Sequence, residues 1–219
     1  MTPTFPAPAW LVGCGNMAGA MVDGWRKAGA DFSGVTVIRP SGTPVDGVKT
    51  VTDYPDERPR FVMLGFKPQK LAEVVPGLTP VVGADAIVVS MLAGVTAATL
   101  REHFPDAAAI VRIMPNLPVA QGQGVVALYS DHAGADERST VQQLIGALGL
   151  APWCETEAEL GAIGAVAAAG VAYVARFGEA LAKGGVNLGL GPDVAAAIAD
   201  QTLVGTGAYH SSTGASMTE

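Results

Sequence analysis

Short runs of almost wholly apolar residues recur along the first part of the chain, at Trp10–Val12, Val35–Ile38, Phe61–Leu64, Ala86–Ser90 and Ala109–Ile113. Segments of helical period lie between them. Met17–Ala28 ends near Gly29, and Thr96–Phe104 stops before Pro105. Strands this apolar are covered on both faces, and their alternation with helices predicts a parallel sheet wrapped by helices. Gly124–Leu128 adds a further strand, and Ala135–Leu148 reads as a helix closed by Gly149.

Directly after the first strand run comes Gly13-Cys14-Gly15-Asn16-Met17-Ala18, a G-x-G-x-x-A turn that leads straight into a helix. In this position glycines let backbone N–H groups approach a pyrophosphate at a helix N-terminus, the fingerprint of a Rossmann-type dinucleotide site. The end of the second strand chooses between dinucleotides. A site for NAD places an Asp or Glu there, but Asp31 and Asp46 bracket a stretch without an acid, and the strand runs out into Arg39-Pro40-Ser41. A guanidinium and a hydroxyl suit a 2′-phosphate, so the expected cofactor is NADPH, with NADH left open.

Past Trp153 the β-branched runs give way to Ala-rich helical sequence. The expected organisation is α/β: a Rossmann domain at 1–155, with helices on both faces of its sheet, then a smaller all-α domain at 156–219. One long helix is expected from about Glu157 to Lys183. Gly184, Gly185, Gly189 and Gly191 read as a break before Pro192, which with Asp193 starts a second helix reaching roughly His210. Ser211–Glu219 is polar and reads as the start of a further segment.

Charge narrows the range of partners. A net charge of −7 gives no general attraction for nucleic acid or an anionic membrane, so a small molecule is the expected partner. Cys14 and Cys154 have neither metal-ligand spacing nor the density of a disulfide framework, so reduced thiols, no metal and a cytoplasmic setting are expected. The first basic residue is Arg26, which argues against a secretory leader. Ala162–Ala175 is apolar but shorter than the roughly 20 residues that span a bilayer. His103, His132 and His210 are scattered and read as surface or structural.

Three further segments follow strand ends: Phe66-Lys67-Pro68-Gln69, Ser90-Met91-Leu92-Ala93-Gly94-Val95 and Arg112-Ile113-Met114-Pro115-Asn116-Leu117-Pro118. With the glycine turn, in this order, they resemble the pyrroline-5-carboxylate reductase family from about residue 10 onward. That resemblance implies hydride transfer from NAD(P)H to the C=N carbon of 1-pyrroline-5-carboxylate, giving L-proline, in a homodimer or higher homo-oligomer. It also implies that Val12, Gly13, Cys14, Gly15, Asn16, Met17, Arg39, Ser41, Gly65, Phe66, Lys67, Pro68, Met91, Leu92 and Ala93 line the cofactor path, with Asn116 at the nicotinamide end. In such a reaction the cofactor carries the chemistry, and the protein positions the imine and guides a proton.

The sequence also departs from that family. Where the family's second domain opens with a run like T-A-L-S-G-S-G-P-A-Y, this chain has Gly164 to Tyr173, with Gly164, Ala167 and Ala169 in place of hydroxyls and Val171 in place of Pro. Leu117 stands where the family has Thr. Asn116, Glu157 and Gly164 are the substrate-side candidates, and no catalytic residue is assigned. The family continues into a segment like S-P-G-G-T-T that holds the substrate carboxylate, and this sequence ends at Glu219 before it, so the helical domain is expected to be truncated. Two alternatives follow: a reductase of a more apolar imine or carbonyl, and a catalytically silent NADPH-binding paralogue.

Overall fold

The structure, a computed structural model, describes residues 2–214. Its strands are β1 (Ala9–Val12), β2 (Val35–Ile38), β3 (Lys49–Val51), β4 (Phe61–Leu64), β5 (Ile87–Ser90), β6 (Ala109–Pro115), β7 (Gly124–Tyr129) and β8 (Gly149–Leu150). The helices are α1 (Asn16–Lys27), α2 (Leu71–Leu78), α3 (Ala97–His103), α4 (Ala135–Gly146), α5 (Glu157–Asn187) and α6 (Pro192–Thr213). The strands form one sheet in the order β3-β2-β1-β4-β5-β6-β7-β8. All neighbouring pairs are parallel except β6 and β7. The expected α/β fold, a mostly parallel sheet followed by helices, is therefore the observed one.

Two cores arise from the alternation of side chains along the strands. Leu11, Val37, Met63, Val89 and Val111 face one side and pack with Ala18, Met21, Val22 and Trp25 of α1 and Val141, Leu144 and Ile145 of α4. Trp10, Val12, Ile38, Val62, Leu64, Val88 and Ile110 face the other, against Val75 and Leu78 of α2 and Leu100 of α3. Burying each large side chain contributes about 1.5–3 kcal/mol. Trp25 also needs a polar partner when buried, and its Nε1 donates to the Leu144 carbonyl at 2.7 Å, which ties α1 to α4.

The strand register sets up the site. Val12 pairs with both Ile38 and Leu64, Leu64 with Ser90, and Ser90 with Arg112. Gly13, Arg39, Gly65, Met91 and the end of β6 therefore emerge side by side along one edge. β1 and β4 are neighbours although β2 and β3 lie between them in the chain, so the sheet changes direction there, where open α/β sheets place ligands.

The chain forms two compact units, 1–167 and 168–219. The division falls inside α5, whose first residues thus belong with the sheet. One expectation is corrected: Gly184 and Gly185 do not break the helix, because α5 continues to Asn187. Within the second unit, a Cβ added at Gly185 would lie 3.1 Å from Ala195 Cβ, and one at Gly178 would lie 2.9 Å from Leu203 Cδ1. These glycines allow α5 and α6 to approach closely, which compensates for their low helix propensity. α6 extends through Thr213, and the remainder of the polar tail from Ala215 lies outside the described residues.

Both helices of the second unit carry exposed apolar side chains, among them Tyr173, Phe177, Leu188, Val204 and Tyr209. α5 spans 31 residues, beyond the Ala162–Ala175 stretch, and is long and apolar enough by length and composition to cross a membrane.

Candidate functional site

The G-x-G-x-x-A turn packs its backbone against the end of β4. Gly13 has φ +81°, and a Cβ there would lie 2.9 Å from the Phe66 backbone nitrogen, so conformation and space both require glycine. A Cβ at Gly65 would meet the Gly13 carbonyl oxygen at 2.8 Å and Ala18 Cβ at 3.1 Å. The small residues at 13, 18 and 65 thus form one close junction of strand, turn and helix. Gly15 differs from them: nothing lies within 4 Å of a Cβ placed there, and it faces open space at the start of α1.

α1 begins at Asn16 without a side-chain cap and without an acidic residue in its first turn. The first N–H groups of a helix have no partner within it and concentrate partial positive charge, so an uncapped start suits an anion. At the end of β2, Arg39 Nε donates to Ser41 Oγ at 3.0 Å, and Thr43 Oγ1 lies 3.1 Å from the same Ser41 oxygen. The Arg39 backbone is fixed in turn by its N–H bond to the Val51 carbonyl of β3, at 3.0 Å.

These groups share one cleft of about 690 Å³, within the range of small-molecule and cofactor sites. Gly13 to Ala18 line it, with Arg39, Pro40, Ser41, Gly65 to Pro68, Met91, Ala93, Met114 and Pro115. Arg39 and Lys67 are its cations, and none of its lining residues is acidic. The Cys14 thiol is buried here, which pushes its pKa up, against the opposing pull of the Arg39 charge. It is therefore a packed, protonated wall group at neutral pH, not a nucleophile.

Most of the residues named from the sequence meet in this cleft, but some do not line it. Val12 and Leu92 are buried in the core behind it. Asn116 is buried, and its side chain is engaged in the protein: Oδ1 accepts from the Val125 N–H at 2.8 Å, and Nδ2 donates to the Ala167 carbonyl at 3.1 Å. Glu157 Oε1 accepts from Arg112 Nη1 at 2.8 Å and from the Ala97 N–H at 2.7 Å. Gly164 is packed on Met114 so closely that an added Cβ would lie 2.2 Å from Met114 Cγ. Pro40, Met114 and Pro115 also line the cleft, beyond the residues expected there. Met114 and Pro115 belong to the Arg112–Pro118 run already expected after a strand end, and the register of β6 with β5 brings that run to the same edge as Met91.

Among the described residues, no three His, Cys, Asp or Glu side chains are grouped so as to hold a metal ion. What the cleft offers is a backbone cradle for an anion, a guanidinium with an adjacent hydroxyl, and an apolar far end formed by Met91, Met114 and Pro115.

Similarity to known proteins covers almost the whole chain. A family model described as pyrroline-5-carboxylate reductase dimerisation matches residues 157–219. Pyrroline-5-carboxylate reductase 3 of Macaca fascicularis is 34% identical over 207 residues, which make up 90% of this chain and 74% of that protein. The solved pyrroline-5-carboxylate reductase of Coxiella burnetii superimposes with a TM-score of 0.88 at 27% identity, over 96% of this chain and 82% of that one. The Plasmodium falciparum pyrroline carboxylate reductase, solved with NADP bound, shares the fold with a TM-score of 0.82 at 20% identity, over 95% of this chain and 80% of that one.

Proposed function

The chain belongs to the pyrroline-5-carboxylate reductase family, and from that premise we propose that it is an NADP(H)-dependent reductase of a cyclic imine, 1-pyrroline-5-carboxylate, yielding L-proline. The observation that carries this reading is the single cleft in which the glycine turn, the Arg39 and Ser41 pair and the apolar far end meet. Its residues fit a phosphorylated dinucleotide. The open space at Gly15 and the uncapped start of α1 accommodate a pyrophosphate, and Arg39 with Ser41 suits a 2′-phosphate that a carboxylate would repel.

Bound reduced nicotinamide supplies hydride for a C=N carbon. The remaining work falls to the chain itself: Gly13 to Met17, Arg39, Ser41 and Lys67 bind, while Met91, Met114 and Pro115 shape the reacting end and keep water from it. The thiol in the cleft, that of Cys14, is held protonated by burial and takes no part as a nucleophile.

The test is NADPH oxidation with the pyrroline substrate, followed together with proline formation. Protein that binds NADPH but forms no proline would refute the proposal and favour the silent paralogue. A second reading, reduction of a more apolar imine or carbonyl, is supported by the apolar far end and by Leu117, which follows Asn116 and is exposed. A panel of imines and carbonyls decides between the two.

The match of residues 157–219 to the dimerisation model, with the exposed apolar side chains of α5 and α6, supports a homodimer or higher homo-oligomer. A cytoplasmic setting with Cys14 and Cys154 as reduced thiols is part of the same proposal.

A further inference from the structure

Glu157 opens α5, and its carboxylate reaches two separate segments of the cleft rim. Oε1 accepts from the backbone N–H of Ala97 at 2.7 Å, and Ala97 begins α3 directly after the turn that carries Met91 and Ala93. The same oxygen accepts from Arg112 Nη1 at 2.8 Å, on the strand that runs on into Met114 and Pro115. Arg112 is only 8% exposed, and a buried guanidinium requires an anionic partner. Glu157 is the carboxylate with which it forms an ion pair. At the start of α3, Thr96 Oγ1 takes the Thr99 N–H and Glu157 takes that of Ala97.

The attachment continues along one face of α5. Leu160 is fully buried, Gly164 sits on Met114, and the Ala167 carbonyl accepts from Asn116 Nδ2. Residues 157, 160, 164 and 167 recur at the spacing that keeps side chains on one side of a helix. The start of α5 is thus fastened to the strand end that lines the apolar part of the cleft, and Glu157 also links it to Ala97, where the chain leaves the Met91 turn.

We propose that Glu157 is a positioning residue for the reductase site. Through Arg112 and Ala97 its carboxylate holds the Met91–Ala93 turn and the Met114–Pro115 strand end in fixed relation, so that the reacting end of the cleft keeps its shape. The assignment rests on the reductase reading for its catalytic consequence. Its structural part stands without that reading, and the two are tested separately.

The structural readout is the NMR spectrum of full-length protein labelled with carbon-13 at the methionine methyls. Met91 and Met114 report on the rim, Met17 on the glycine turn and Met63 on the core. In Glu157→Gln, which keeps the acceptor oxygen but removes the charge, the Met91 and Met114 signals shift or broaden while those of Met17 and Met63 stay in place. NADPH affinity changes less than about threefold, because the phosphate-binding residues are untouched, and kcat falls about 10- to 100-fold, the scale of a misplaced reacting group. Glu157→Asp, which restores the charge, recovers part of the loss.

Unmoved Met91 and Met114 signals, or an unchanged kcat, would overturn the proposal. So would parallel changes at Met17 and Met63, which would mean general loosening. Should Glu157→Gln fail to fold, Arg112→Lys, which retains the cation on a different reach, must give the same pattern. If the wild-type protein binds NADPH but forms no proline, the reductase reading fails, and the methionine signals still decide whether Glu157 sets the rim.

Discussion

Arg39 Nε donates to Ser41 Oγ at 3.0 Å, which holds the guanidinium at the end of β2 over the cleft, beside a hydroxyl. Both side chains line the same space as the start of α1, and on the proposed reading the charge meets the 2′-phosphate of NADPH. Arg39→Glu should lower NADPH affinity by about 10- to 100-fold, because a charge-assisted hydrogen bond worth roughly 1.5–3 kcal/mol is lost and repulsion replaces it. NADH affinity should change little. Titration of both cofactors by fluorescence checks this, and equal losses for the two would show that Arg39 does not meet the 2′-phosphate.

The two glycines of the turn should behave differently on substitution. Gly13→Ala places a Cβ against the Phe66 nitrogen at positive φ, so it should cost about 1–3 kcal/mol of stability. Gly15 has φ −82° and open space around it, so Gly15→Ala should fold with a stability within about 1 kcal/mol of the wild type yet bind NADPH at least tenfold more weakly. Denaturant melts and cofactor titrations on both variants separate the two effects. Equal NADPH affinity in Gly15→Ala would show that no pyrophosphate approaches there.

The parts of this fold that were legible in the sequence are those in which local pattern and burial agree. β2 and β4 are apolar at every position except Thr36 and are buried throughout, so their runs coincide with the strands. β3 was missed because Lys49, Thr50 and Val51 form a short, partly exposed edge with no apolar run. α2 is absent from the expected helices; it carries Pro76 and Gly77, both poor helix formers, and continues through them on the strength of buried Val75 and Leu78. The cleft followed the same rule. Its glycine turn and Arg39 could be read from local chemistry, whereas the pairing of Glu157 with Arg112 spans distant parts of the chain and depends on packing that no local motif encodes.

Acid should weaken the fold partly through Asp131. Its carboxyl is held below the usual range, first by the hydrogen bond with the His132 side chain, against some burial and with help from the His132 and Arg101 charges. A depressed folded-state pKa adds stability that is complete above the unfolded value, near about 4, and is lost as pH falls through the folded value. With roughly half of its side chain exposed, the contribution should stay below about 1 kcal/mol after screening. Urea melts of wild type and Asp131→Asn between about pH 6 and pH 3 test this: the gap between them should close toward the acid end. A gap that widens on acidification would mean that the pairing has the opposite sign.

Phe177 lies midway along α5, between Tyr173 and Leu181 at helical spacing, and all three are exposed within the chain. Such a stripe on a helix is expected to be buried against something, and the match of this segment to a dimerisation model identifies a second copy as the occupant to test. Burying a phenylalanine is worth about 1.5–3 kcal/mol, and a two-fold interface counts it twice, so a charge at this position should act doubly on the dimer. Phe177→Glu is therefore expected to raise the dissociation constant of self-association by at least about 100-fold, measured by sedimentation velocity across a concentration series. Circular dichroism should show the helix content retained, and Phe177→Leu should remain associated. If wild-type protein sediments as a monomer at all concentrations, the stripe requires another explanation, and the membrane-compatible length of α5 becomes the observation to pursue.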